Sequence, residues 1–216
     1  MTADRPLSGA IGRRAAPSVK RVGGEIRLIV DGAVQSVAVP ADETPHGYWR
    51  ALLPVRRPAS VLILGLGGGT VVHLLRRLWS PISITGVDND AQVLVLARRH
   101  FGLEGENTTI VEADAREYVR GCRQRFDLVI VDLFQGEEIA GFVGQREFIR
   151  RARSLVSAGG TLVWNLHRDR RSVGLRRRIG AGLRPERRVL AGLNLVLHFR
   201  RQRRQRAGGD AEKREV

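Results

Sequence analysis

From residue 60 onward the chain alternates between two patterns. Short apolar runs of strand length give way to stretches in which apolar residues recur every three or four positions. The runs predict strands at about 60–66, 83–88, 107–112, 126–133, 160–166, 187–192 and 194–200. The stretches between them predict helices at about 69–79, 90–101, 115–122, 145–157 and 172–183. Apolar strands separated by helices imply an α/β fold, a mostly parallel sheet of seven strands covered on both faces. The last two strands meet at Gly192 and read as an antiparallel hairpin. Ahead of the sheet, two β-rich runs, Glu25–Val30 and Ala33–Val39, flank Asp31-Gly32, a pair that tolerates the positive φ of a hairpin turn. Gly47–Leu53 reads as a short helix. The expected organisation is a flexible tail at 1–20, a hairpin and short helix at 21–53, a Rossmann-like domain at 54–201 and a basic disordered tail at 202–216. No internal repeat is visible.

The junction of the first strand and helix of the sheet reads VLILGLGGGT, from Val61 to Thr70. So many glycines imply that something approaches the backbone closely. A dinucleotide fingerprint would need a third glycine where Thr70 stands, and a phosphate-binding P-loop would need a lysine. What fits is G-x-G-x-G at Gly65, Gly67 and Gly69, a loop that lets a backbone pass the amino-acid end of S-adenosylmethionine. Three carboxylates then end successive strands. Asp88 stands where an acid can accept both hydroxyls of a ribose. Asp114 stands where it can accept the adenine amino hydrogens, and Asp132 faces the reacting centre. The competing reading is helix capping, since Asp90, Asp114 and Asp132 all precede possible helix starts. Three such acids, each after an apolar strand, favour a nucleoside site.

These residues resemble the spermidine synthases, the polyamine aminopropyltransferases within the class I methyltransferase-like fold. The likeness spans residues 25–166. It is carried by Val30-Asp-Gly-Ala-Val-Gln35 and Tyr48, by the glycine loop with apolar Ile63 ahead of it, and by Asp88-Asn-Asp90. It continues through Ala113-Asp-Ala-Arg-Glu-Tyr118, Phe126-Asp-Leu-Val-Ile-Val-Asp132 and, loosely, Phe142 to Phe148. The resemblance implies a Rossmann-like fold with a seventh antiparallel strand. It implies S-adenosylmethionine or its decarboxylated form as cofactor, held by Gln35, Gly65, Gly67, Gly69, Asp88, Asp114 and Asp132. Catalytic positions fall on Tyr48, Asp132 and Gln135.

The chain departs from the family at three of those places. The loop acid that helps hold the aminopropyl amine is Gly68 here. The amine-deprotonating acid after Asp132 is Gln135, which cannot act as a base. The residue after the tyrosine, usually histidine or glutamine, is Trp49. A diamine acceptor carries two positive charges, and two fewer carboxylates leave them poorly compensated. The expectation is therefore methyl transfer to a small-molecule acceptor. The alternatives are aminopropyl transfer with a relocated acid, Glu137 or Glu138, and nucleoside binding without catalysis.

Composition refines this only at the edges. Cys122 is the one cysteine, so no intrachain disulfide can form; this fits a cytoplasmic protein. No run approaches the ~18 apolar residues of a membrane span, and no signal-peptide core stands at the N-terminus. His46, His73 and His167 lack metal-ligand spacing, so no metal is expected. The net charge is +15, and residues 168–206 hold fourteen arginines against two acids. With almost no interleaved aromatics, this reads as a solvated surface with at most non-specific affinity for nucleic acid. A homodimer is the expected assembly if the family's pairing through the N-terminal β region is retained.

Overall fold

In the computed structural model the described residues are 15–40, 43–103, 105, 107–135, 138–169 and 171–203. The first three strands, β1 (Ser18–Val22), β2 (Glu25–Val30) and β3 (Ala33–Ala38), form one antiparallel sheet. Asp31 and Gly32 both take positive φ, 50° and 81°, as a hairpin turn matched to strand twist requires. β1 lies partly within the expected tail. Gly23 and Gly24, both at positive φ, close a second turn, and Ser18 to Val22 pair with β2. The N-terminal unit is therefore three strands rather than one hairpin. A 3-10 turn, Tyr48–Leu52, links it to the main sheet.

The main sheet is built by β4 (Ser60–Leu64), β5 (Ser83–Asp88), β6 (Thr108–Glu112), β7 (Phe126–Val131), β10 (Val156–His167), β11 (Arg184–Ala191) and β12 (Asn194–Arg200). Helices α1 (Thr70–Trp79), α2 (Ala91–Phe101), α3 (Ala115–Gly121), α4 (Arg146–Ser154) and α5 (Arg171–Gly180) connect them. A two-residue pair, β8 (Phe134–Gln135) and β9 (Glu138–Ile139), stands apart after β7. The strand order is β11-β12-β10-β7-β4-β5-β6, parallel except at β12, which runs antiparallel to both neighbours. This is the seven-stranded, Rossmann-like arrangement expected from the sequence.

The continuous apolar character of β4 follows from its two buried faces. Val61 and Ile63 join Leu75 and Leu94 in a core under α1 and α2, while Leu62 and Leu64 join Val119 and Ile149 on the opposite face. The chain adds β5 and β6 on one side of β4, then crosses back to place β7 on the other. Ligands bind α/β sheets at such a reversal, outside the carboxyl ends of the strands. Gly65, Asp88 and Asp132 all sit at those ends. Two of the possible caps are real: Asp90 Oδ1 accepts the Gln92 and Val93 amides, and Asp114 Oδ1 accepts the Arg116 amide. Asp132 caps nothing; β8, not a helix, comes next.

The arginine-rich C-terminal part is only partly a solvated surface. β11 is an edge strand, and Arg184, Pro185 and Arg188 on it are exposed, a composition that blunts edge-to-edge pairing. Arg187, exposed like them, also reaches back to the Tyr48–Leu52 turn, with Nη2 donating to the carbonyls of Ala51 (3.2 Å) and Leu53 (2.7 Å). Buried His198 on β12 places Nε2 2.7 Å from the same Ala51 oxygen. Burial lowers its pKa to about 4, so the ring is neutral near pH 7. No helix among the described residues is long and apolar enough to cross a membrane.

Candidate active site

The glycine loop answers to the protein before any ligand. A Cβ on Gly65 would overlap the carbonyl oxygen of Asp132, and one on Gly69 would overlap the Leu103 side chain. A Cβ on Gly68 would lie 2.8 Å from Ser36 Cβ and 3.0 Å from the Phe101 ring. Gly65, Gly67 and Gly69 also take φ of 91°, 53° and 79°, values that side chains resist. The loop amides are spent as well. Those of Gly65 and Leu66 donate to Val87 O, and that of Gly69 to Leu66 O. Gly67 N donates to Asp88 Oδ2 (2.8 Å) and Gly68 N to Ser36 Oγ (2.7 Å). The close approach expected at this backbone is therefore made largely by the protein itself.

Ser36 and Thr70 dock the N-terminal sheet onto this loop. The Thr70 hydroxyl accepts Val37 N at 2.7 Å and donates to Val37 O at 2.8 Å. Both residues are buried. The docking brings Leu28, Val30 and Gln35 over the strand ends, where they line one wall of a cavity of about 480 Å³. That is within the ~300–1,000 Å³ usual for small-molecule sites. The other walls bring together every site residue expected from the sequence: Tyr48, Gly65, Gly67, Gly69, Asp88, Asp114, Asp132 and Gln135. Gly68 faces Ser36 and Phe101 and does not line the cavity.

The three strand-end acids differ in state. Asp88 is held by the amides of Gly67 and Asp90, and its burial raises its pKa. Asp114 is gripped by Arg116, Nη2 to Oδ2 at 2.6 Å, which holds its carboxyl below the usual range. The Arg116 guanidinium in turn lies 4.9 Å from the centre of the Phe142 ring. An adenine amine at Asp114 would therefore share that carboxylate with Arg116. Asp132 accepts the Tyr48 hydroxyl at 3.0 Å and Asn165 Nδ2 at 2.8 Å. Burial pushes its pKa up to about 6, against the lowering effect of those two hydrogen bonds. Tyr48 is raised well above its ordinary value by burial and by the Asp132 charge, so it remains a hydroxyl donor.

Sequence reasoning missed Asn165, Ser36 and Arg116. Asn165 left a signal, being a buried polar residue inside the apolar run Leu162–Leu166. Arg116 left one as well, standing two residues after Asp114; Ser36 left none, because its partner Gly68 is 32 residues away. Of the two acids expected as replacements, Glu138 is exposed on β9 and does not line the cavity; Glu137 lies outside the described residues. No group of three or more metal-ligating side chains occurs among the described residues.

Asp88 carries the first prediction. A hydrogen bond to a charged group is worth ~1.5–3 kcal/mol. Asp88→Ala should weaken methylthioadenosine binding at least tenfold in calorimetry. Unchanged affinity in a folded variant would remove Asp88 from the nucleoside site.

Residues 61–160 match the methyltransferase domain family. A polyamine aminopropyltransferase of Neisseria meningitidis is 36% identical over 110 residues, covering 50% of this chain and 42% of the relative. One from Chromobacterium violaceum is 28% identical over 171 residues, 71% of this chain and 65% of the relative. The chain thus spans less than two thirds of the length of these curated relatives. A probable spermidine synthase from Corynebacterium glutamicum superposes with a TM-score of 0.71 at 17% identity, over 85% of this chain and 76% of that one. Fold, strand-end acids and relatives agree: the chain is built on the class I methyltransferase fold and, within it, is similar to the spermidine synthases.

Proposed function

We propose that the protein is a transferase that moves the aminopropyl group of decarboxylated S-adenosylmethionine to an amine. The observation that carries this is the charge of the cavity. Asp31, Asp88, Asp90, Asp114 and Asp132 line it, and Arg116 is the one cation among its described residues, already paired with Asp114. A donor with an α-carboxylate would meet acids and spent loop amides. A donor without one brings only positive charge, which such a cavity favours. The relatives named polyamine aminopropyltransferase support this reading over the methyl transfer expected from the sequence.

Asp132 supplies the missing base without relocation to Glu137 or Glu138. As a carboxylate beside the reacting centre it takes a proton from the acceptor ammonium. The freed nitrogen lone pair forms the new N–C bond while the C–S bond breaks. That electron pair returns to sulfur, releasing an uncharged thioether, and the product leaves as a secondary ammonium. Tyr48 and Asn165 hold the carboxylate in place, and alignment in such a site is worth ~7–11 kcal/mol of the barrier. A raised carboxyl pKa means that ionised Asp132 is reached only as pH rises through about 6. The rate kcat/KM should therefore climb between pH 5 and pH 7. A profile flat across that interval would remove Asp132 as the base.

Methyl transfer from S-adenosylmethionine remains the second reading, favoured by glycine at 68 and glutamine at 135. Calorimetry separates the two. Tighter binding of the decarboxylated donor supports aminopropyl transfer, and tighter binding of S-adenosylmethionine supports methylation.

A further inference from the structure

Asp132 is held from two directions, and one of them leads back to the C-terminal hairpin. Tyr48 Oη donates to Oδ2 at 3.0 Å, and Asn165 Nδ2 donates to Oδ1 at 2.8 Å. Asn165 in turn accepts, through its own Oδ1, the Nδ2 of Asn194 at 3.1 Å. Asn194 opens β12 directly opposite His167 on β10, so Asn165, two residues earlier, is its diagonal neighbour on one face of the sheet. Diagonal neighbours lie ~7–8 Å apart, a gap that two amide side chains span here. The backbone at Asn194 is fixed on both sides. It pairs with His167 on β10 and with Ala191 on β11, and the preceding carbonyl, Leu193 O, accepts the Arg168 amide at 2.8 Å.

We propose that Asn194 is a positioning residue for the base: it fixes the Asn165 amide with its donor end on Asp132. This rests on the reading of Asp132 as the proton acceptor and deepens it. A carboxamide has one acceptor end and one donor end. Turned over, Asn165 would set its oxygen against a carboxylate oxygen. The Asn194 donor selects the other orientation by engaging that oxygen. Asn165 is only 1% exposed, and a hydrogen bond counts for more in such surroundings than in water. The donors run one way, from Asn194 to Asn165 to Asp132, so each bond polarises the next towards the carboxylate. Hydrogen bonds to the ionised form favour it, so loss of the Asn194 amide should raise the pH at which Asp132 ionises. Among the described residues, the other titratable or charged groups about this carboxylate are Tyr48 on the 3-10 turn, His167 on β10 and, lining the same cavity, Asp31, Asp88, Asp90, Asp114 and Arg116. A change at Asn194 replaces none of them.

The test follows the ionisation of Asp132 itself in the full chain, by infrared difference spectroscopy, with the band assigned by its absence from Asp132→Asn. Asn194→Ala should raise the midpoint by at least ~0.5 pH unit. Asn165→Leu, which removes the donor outright, should raise it further. The double variant should match Asn165→Leu alone, because Asn194 acts through Asn165; a merely structural role would give shifts that add. An unmoved midpoint in Asn194→Ala, or additive shifts, overturns the proposal. Asn194 is half-buried, so its variant keeps the test available if Asn165→Leu does not fold. Turnover is read separately, and the rise of kcat/KM should move to the same higher pH in Asn194→Ala. A moved carboxyl midpoint with an unmoved rate profile upholds the hold of Asn194 on Asp132 and overturns Asp132 as the base. A moved midpoint with no turnover of the decarboxylated donor upholds it and overturns the transfer reaction.

Discussion

Asp132→Asn should lower kcat at least 100-fold while methylthioadenosine affinity stays within about threefold, since loss of a positioned base typically costs 10²–10⁴-fold. The variant keeps the shape of the site. The asparagine oxygen can accept from Asn165 Nδ2, and its amino group can donate to a rotated Tyr48 hydroxyl. What it cannot do is take a proton. The same change should stabilise the fold above pH 6. Raised by burial to about 6, Asp132 binds its proton more tightly folded than unfolded. Its contribution to stability is therefore present below the ordinary carboxylate pKa and is lost as pH rises through about 6. The neutral amide avoids that loss. A variant with more than a tenth of native kcat, or one that melts no higher than the native chain at pH 8, would show that Asp132 is not a buried base.

Gly65→Ala should cost at least about 3 kcal/mol, lowering the melting temperature by roughly 6–12 °C in a domain of this size. Two faults combine there. The backbone takes φ of 91°, and the added methyl would overlap the Asp132 carbonyl oxygen. Relief would push apart β4 and β7 at the end that carries the Asp132 carboxylate. Gly102→Ala is the control. Its φ is 57°, but a Cβ there meets nothing within 4 Å. It should cost only about 1 kcal/mol for the left-handed backbone. Equal losses at the two positions would mean that backbone conformation, not the contact with Asp132, fixes glycine at 65.

What was legible in the sequence was local. The apolar run from Val61 to Leu64 and the amphipathic stretch after Thr70 read correctly, because a strand buried on both faces and a helix buried on one leave distinct periods. Asp88, Asp114 and Asp132 were found because strand ends in this architecture converge. The functions of the glycines were not legible. Gly65 answers to Asp132, Gly68 to Ser36 and Phe101, and Gly69 to Leu103, contacts that no local pattern announces. β1 was missed because SVKRV is short, charged and largely exposed, and gains its order from pairing with β2. Asn165 was visible as an anomaly, but its partner, 33 residues away, was not.

The contact between the C-terminal hairpin and the Tyr48–Leu52 turn sets an order of events during synthesis. His198 and Ala51 are 147 residues apart. At ~5–20 residues per second on the ribosome, Tyr48 waits roughly 7–30 s for the residues that brace its turn. The glycine loop, Asp88 and Asp132 are all translated before them. A nascent chain can thus acquire the glycine loop and its strand-end acids well before the Tyr48 wall of the cavity is braced. Under the proposed function, ribosome-bound chains ending before Asn194 should capture methylthioadenosine yet transfer nothing, which would make the last strand a timing device for the onset of transfer.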